Sequence, residues 1–155
     1  MMYFAFSGVQ RCDGKDDDAV SLLIISSLVR AIPLPGKAFI IRLYNPPINI
    51  PSTKLFQPLD ATIAKLESEK SCRGIILAFR PHEFSAGLDL SELYQPHPKK
   101  LKTFYQSLHN LISRLYPTRL ACVAAIEGHS PAGGCILAMC CDYRIMATGK
   151  IKNRA

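Results

Sequence analysis

From Lys37 onward the chain alternates short apolar runs with longer stretches in which apolar residues return every three or four positions. KAFIIRLY at 37–44 is rich in β-branched and aromatic residues and stops at NPP, which predicts a strand. In STKLFQPLDATIAKLESEK, Leu55, Leu59, Ile63 and Leu66 fall at helical spacing, with Ser52 as the expected cap. Pro58 is expected to kink this helix or delay its start, because proline lacks an N–H. RGIILAF at 73–79 has strand length and suits burial on both faces. PKKLKTFYQSLHNLISRLYP is the clearest helix: Leu101, Phe104, Tyr105, Leu108, Leu111, Ile112 and Leu115 mark one apolar face, and Pro117 ends it. LACVAAI at 120–126 predicts the next buried strand, AGGCILAMCC a helix and YRIMA a last strand.

Strands alternating with helices imply an α/β fold with mainly parallel strands and right-handed crossovers. In such sheets the loops leaving the strand C-termini gather at one edge, where ligands bind. Residues 80–89 and 127–133 are two loops of this kind. Residues 1–36 differ from the rest. MMYFAFSGVQRCDGKDDD has no sustained period and IPLPG at 32–36 reads as a turn or linker, so this segment is expected to be poorly ordered or loosely attached. That leaves a core over 37–147 and a divergent tail over 148–155.

Each of the two loops offers backbone donors. Ser130 is the expected cap of the later helix and Pro131 its first residue, leaving Ala132, Gly133 and Gly134 in a first turn whose N–H groups lack intrahelical partners. A glycine inside a helix costs about 1 kcal/mol against alanine, so two in succession imply a close approach by another backbone or by a ligand. In PHEFSAGLDLSEL, Gly87 permits a left-handed turn, and Asp89 with Glu92 has capping-box spacing for a short helix LSEL. Ser85, Ala86 and Gly87 then lie on a bend with N–H groups facing the crevice. Two convergent N–H donors are what an oxyanion hole requires, and losing one can cost ~10²–10³ in rate.

Length and composition add limits. The 155 residues are 48% apolar and 20% charged, as for one globular domain. AVSLLIISSLV at 19–29 is too short for a membrane span and follows acids rather than bases, which does not suit a secretory signal or an organelle presequence. The net charge of +7 is densest in HPKKLK at 97–102, which opens a helical pattern and reads as a solvated helix end. With no aromatic–basic stripe beside it, a nucleic-acid partner is set aside. The six cysteines form no C-x-x-C pair, and four lie in apolar runs, which points to a reducing compartment without zinc or disulfides.

FSAGLDLSEL and, some forty residues on, PAGGCILAMCCDYRIMA resemble the crotonase (enoyl-CoA hydratase/isomerase) superfamily, and YNPPIN at 44–49 fits its first strand and turn. SAGLDL with PAGGC looks most like its mitochondrial Δ3,Δ2-enoyl-CoA isomerase branch. The resemblance implies a spiral of β-β-α turns, usually trimeric. It implies a fatty acyl-CoA substrate whose thioester oxygen accepts the N–H groups of Ala86 and Gly133, with Ala86, Gly87, Leu88, Asp89 and Leu90 lining the acyl-CoA channel. Coenzyme A enters as part of the substrate, so no separate cofactor is implied, and the basic rim would suit its phosphates. The implied reaction moves a 3-enoyl-CoA double bond to the 2-trans position through an enolate, in the mitochondrial matrix. Hydratases of the superfamily carry a glutamate where this chain has Ile136, which disfavours hydration. Family isomerases keep one glutamate beyond the strand matching YRIMA, where this chain departs into TGKIKNRA; the expectation is a truncated form without that base. Glu83, Glu92 and Glu127 flank the two loops and read as solvated residues or, for Glu92, a cap. His82 and His129 share the loops, and Asp142 is expected to order the turn into the last strand. The alternative is a non-catalytic acyl-CoA-binding or regulatory fragment that associates with full-length isomerase.

Overall fold

A computed structural model describes residues 23–46, 49–79 and 84–148. Among these, six strands form one sheet in chain order: β1 (Leu23–Ser26), β2 (Val29–Leu34), β3 (Ala38–Leu43), β4 (Gly74–Ala78), β5 (Ala121–Ile126) and β6 (Tyr143–Met146). β1, β2 and β3 are antiparallel; β3, β4, β5 and β6 are parallel. The crossovers of the parallel part carry α1 (Thr53–Ser68), then α2 (Leu90–Leu93) and α3 (Pro98–Leu115), then α4 (Gly133–Met139). This is the α/β arrangement expected, with helices on the crossovers between parallel strands. None of the described helices is long and apolar enough to cross a membrane.

The sheet begins earlier than the pattern suggested. β1 and β2 both lie in the segment expected to be loosely attached, yet β2 pairs with β3 from Val29↔Leu43 to Leu34↔Ala38, and Val29 and Ala31 are fully buried. Its prolines concealed it. Pro33 sits beyond the last residue of β2 that β1 reaches, Ala31, so its missing N–H breaks no ladder on that side. Pro35 belongs to the hairpin turn, where Gly36 and Lys37 both have left-handed φ (82° and 64°). Residues 1–22 and 149–155 lie outside the described residues.

α1 and α3 pack on each other, with Phe56 and Phe104 edge to face at 5.6 Å. α1 buries Leu55, Phe56, Leu59, Thr62, Ile63 and Leu66 and runs through Pro58, whose carbonyl accepts from the Thr62 hydroxyl at 2.7 Å. α3 buries Phe104, Leu108, Leu111 and Leu115, while Tyr105, expected on the same face, is half exposed. Arg114 on α3 bridges Asp60 (2.7 Å) and Glu67 (3.2 Å) on α1. The Arg119 guanidinium donates to the carbonyls of Glu67, Glu69 and Cys72, tying the end of α1 to the start of β4.

Candidate active site

β4 and β5 are parallel neighbours, so the loops that follow them leave the sheet side by side. One acceptor binds the two loops together. The carbonyl of His129, after β5, receives the N–H groups of Phe84 (3.2 Å) and Ser85 (2.9 Å), after β4. Gly87 has φ 95°, as its turn requires, and a Cβ there would rest 3.7 Å from the Pro131 carbonyl and the Ala132 side chain. His82 and Glu83 lie outside the described residues.

The amides of the first loop can be counted one by one. Phe84 and Ser85 donate to His129, Ala86 donates to the Asn49 carbonyl at 2.9 Å, Gly87 to the Ser85 hydroxyl at 3.1 Å, and Asp89 to the Pro51 carbonyl at 3.1 Å. Leu88 alone remains: among the described residues no acceptor takes its N–H. In the second turn Gly134 donates to Pro131 (3.0 Å) and Ile136 to Ala132 (3.0 Å), and the Gly133 N–H likewise has no acceptor among the described residues. These two amides are neighbours. A Cβ built on Gly133 would lie 3.5 Å from the Leu88 nitrogen, an ordinary contact, and 2.5 Å from Leu88 Cδ2, the end of a side chain that can turn aside. Gly134 is the tighter of the two, its missing Cβ falling on Ser85 Cβ, which is fixed to the backbone, with Ser85 Oγ at 2.8 Å and Ser130 Oγ at 2.9 Å.

This corrects the sequence reading at Ala86. Its N–H is spent on Asn49, and the unpaired amide of the loop belongs to Leu88, two residues on. No local signal separates the two positions, because the acceptors Asn49 and Pro51 come from a distant segment. Gly133 keeps a free N–H as expected. Asp89 accepts from the Ser91 N–H (2.9 Å) and hydroxyl (2.6 Å), capping α2, and Leu90 is 75% exposed.

Three local expectations also change. Ser130 does not cap α4: the cap position is Ala132, at φ 44° and without a side-chain bond, and Ser130 Oγ is buried with no partner. A non-glycine residue at positive φ is strained, and here it immediately precedes the Gly133 amide. Glu92 does not close a capping box on Asp89; its carboxylate accepts from the N–H (3.2 Å) and hydroxyl (2.6 Å) of Thr53, capping α1 across 39 residues. Ser52, the expected cap, makes no side-chain bond there. Asp142 does order the last turn, accepting from the Cys122 N–H at 2.8 Å.

Behind α4 the Cys122 thiol donates to Cys141 at 3.2 Å; that bond and burial push its pKa far up. Glu127 and the His129 ring, beside the glycine turn, are exposed. Beyond Leu90 an open cleft of about 640 Å³ is lined by Lys54 of α1, by Ser91, Glu92 and Tyr94, and by His97, Lys99 and Lys100 at the start of α3, so three residues of the basic cluster HPKKLK face it alongside one carboxylate.

A mixed sheet with two glycine-dependent turns joined at one edge defines the class, an α/β protein, and known proteins share its sequence and its fold. The sequence model of the enoyl-CoA hydratase/isomerase family covers residues 36–151, and the chain belongs to that family. The chain is 44% identical to mouse mitochondrial enoyl-CoA delta isomerase 1 over 114 residues, which is 73% of this chain and 39% of that protein. For the human enzyme of the same name the figures are 43% over 109 residues, 70% and 36%. The crystal structure of human mitochondrial delta3-delta2-enoyl-CoA isomerase superposes with a TM-score of 0.73 at 39% identity, over 76% of this chain and 46% of that one. An enoyl-CoA hydratase from Geobacillus kaustophilus, at 22% identity and a TM-score of 0.72, shares the fold. The chain thus spans about two fifths of the length of these curated relatives.

Proposed function

We propose that the chain binds fatty acyl-CoA thioesters and stabilises the enolate formed when a 3-enoyl-CoA double bond moves to the 2-trans position. The observation that carries this reading is the pair of unsatisfied, adjacent N–H groups at Leu88 and Gly133. A thioester oxygen set between them accepts two main-chain bonds. Those bonds strengthen as negative charge develops on the oxygen, which lowers the barrier to removing a proton from the neighbouring carbon. The cleft bearing Lys54, Lys99 and Lys100 takes the phosphates of coenzyme A, matching cation to anion. Ile136, where hydratases of the superfamily have a glutamate, leaves hydration without one of its two carboxylates, so the isomerase reading is preferred. Binding and enolate stabilisation are the steps the described residues account for. Proton transfer is left to a carboxylate that the isomerase relatives carry beyond the strand matching β6. The names of those relatives support a mitochondrial location.

The test compares a saturated acyl-CoA with its thioether analogue, which lacks only the carbonyl oxygen, by calorimetric titration. Two net hydrogen bonds at about 1 kcal/mol each predict roughly 30-fold weaker binding of the thioether. Equal affinities would refute the paired-donor site. Turnover of a 3-enoyl-CoA, followed by the absorbance of the conjugated product, is measured separately. Thioester-selective binding without turnover supports the non-catalytic form of the proposal.

A further inference from the structure

We infer that Cys122 and Cys141 are an oxidisable pair, whose conversion to a disulfide ties β5 to the end of α4. The inference does not depend on the acyl-CoA reading. In the reduced chain the Cys122 thiol donates to the Cys141 sulfur at 3.2 Å, and the Cys141 thiol donates to the Leu137 carbonyl at 3.5 Å. Closing the sulfurs by about 1.2 Å reaches the ~2.05 Å of a disulfide. The main chain is already drawn together beside them. The Cys122 N–H donates to the carboxylate of Asp142, the residue after Cys141, and the β5–β6 pairing starts at Val123↔Tyr143.

Among the described cysteines no other sulfur meets a sulfur. Cys72 donates to the Gly74 carbonyl at 3.8 Å, Cys135 is exposed, and the Cys122 thiol bonds to Cys141 and not to its neighbour Cys140. The surroundings favour the product. Cys122 and Cys141 are 1% and 4% exposed and lie in the main core with Leu120, Ala124, Leu137 and Ala138. A disulfide carries neither charge nor polar hydrogen, so it suits that core, whereas a sulfenic or sulfinic acid there would need solvation. It replaces weak thiol hydrogen bonds with a covalent one. The bond closes residues 122–141 into a loop that holds the Gly133 turn and α4, which stabilises the fold by restricting the unfolded chain. Gly133 stands at the other end of α4 from Cys141, so the paired donors keep their places.

Hydrogen peroxide, hardly larger than water, is the oxidant that reaches sulfurs closed to bulky thiol labels. One thiol gives up its proton and its sulfur attacks the peroxide, breaking the O–O bond and yielding a sulfenic acid and one water. The second sulfur displaces the sulfenic oxygen, which leaves with the remaining thiol proton as a second water. Two thiols and one peroxide thus give one disulfide and two waters. The resting pair reacts slowly, because both sulfurs are covered and the Cys141 bond and burial push the Cys122 pKa far up, so exposed Cys135 is oxidised first.

The test treats the full chain with hydrogen peroxide in native buffer, alkylates it and maps it by mass spectrometry without reduction. Cleavage after Glu127 and Leu137 separates Cys122, Cys135 and the segment with Cys140 and Cys141. Circular dichroism confirms the fold of each variant before treatment. Wild type and Cys140→Ala are expected to yield a cross-link from Cys122 to Cys141, and Cys122→Ala and Cys141→Ala none. Dithiothreitol is expected to break the cross-link and lower the urea midpoint of the oxidised wild type. The same oxidation in denaturing urea should scramble the pairs, which marks the native cross-link as a property of the fold. No cross-link in the folded wild type, a cross-link retained in Cys141→Ala, scrambled pairs in native buffer, or a urea midpoint that rises with dithiothreitol would each overturn the inference.

Discussion

Replacing Gly134 with alanine sets two effects of opposite sign against each other. Alanine is the better helix former by about 1 kcal/mol in a helix interior, and by less in the first turn, where Gly134 sits. Against this, the new methyl would overlap Ser85 Cβ and stand 2.8 Å from Ser85 Oγ and 2.9 Å from Ser130 Oγ. The hydroxyls can rotate away. Ser85 Cβ cannot, because it is fixed to the backbone, so the two loops must part, and the direction of parting stretches the Ser85 N–H bond to His129. Overpacking of this kind costs roughly 1–3 kcal/mol, so the expected net loss is about 1–2 kcal/mol. Urea unfolding measures it, with Ser85→Gly and the double variant completing the cycle. Ser85→Gly alone loses the acceptor of the Gly87 N–H, worth about 1 kcal/mol, but in the Gly134→Ala background it also removes the clash. The two changes should therefore compensate each other by at least about 1 kcal/mol. Thioester affinity should fall in Gly134→Ala and recover in the double variant. A Gly134→Ala protein as stable as wild type, or two penalties that simply add, would refute the tight loop contact on which the donor geometry rests.

Glu92→Ala leaves the first amide of α1 without its acceptor and should cost about 1–2 kcal/mol in thermal or urea unfolding, with Glu92→Gln milder because an oxygen is retained. Arg114→Ala breaks a partly exposed bridge between α1 and α3, and a loss of about 1 kcal/mol or less is expected, shrinking with added salt. Thiol labelling followed by mass spectrometry should modify Cys135 quickly in the native protein and Cys72, Cys122, Cys140 and Cys141 only on unfolding. Burial raises the pKa of Cys72 and Cys140, as do the Cys141 bond and burial for Cys122, above the ordinary 9.0. The native chain therefore holds more protons than the unfolded one above pH 9.0. The contribution of these thiols to stability should be intact below that pH and fall as pH rises through the native values, which urea midpoints across the alkaline range will show.

What could be read from the sequence followed from how far each determinant reached along the chain. β3, β4, β5, β6 and the faces of α1 and α3 announce themselves in local periodicity, and each formed within a residue or two of expectation. β2 was concealed because Pro33 and Pro35 look like punctuation, and only the shortness of its pairing with β1 makes Pro33 tolerable. Gly87 and Gly133 could be singled out because a backbone without a Cβ is visible in one letter. Which amide stayed free could not. Ala86 and Leu88 flank the same glycine, and the choice between them is made by carbonyls at Asn49 and Pro51, more than thirty residues earlier. Glu92 shows the same limit: its spacing to Asp89 suits a local box, yet its carboxylate serves a helix at the other end of the crossover.

The carbonyl of His129 gives the pocket a folding history. Its two incoming N–H groups belong to a segment some forty-five positions away, reached only after a whole helical excursion has closed and the strands on either side have aligned. A partly collapsed chain can contain the turn at Gly87 and the turn at Gly133 without any ability to recognise a thioester. Under the proposed function, ligand recognition switches on with the last cooperative transition and not before it, making acyl-CoA affinity a probe of whether strands four and five have found their register.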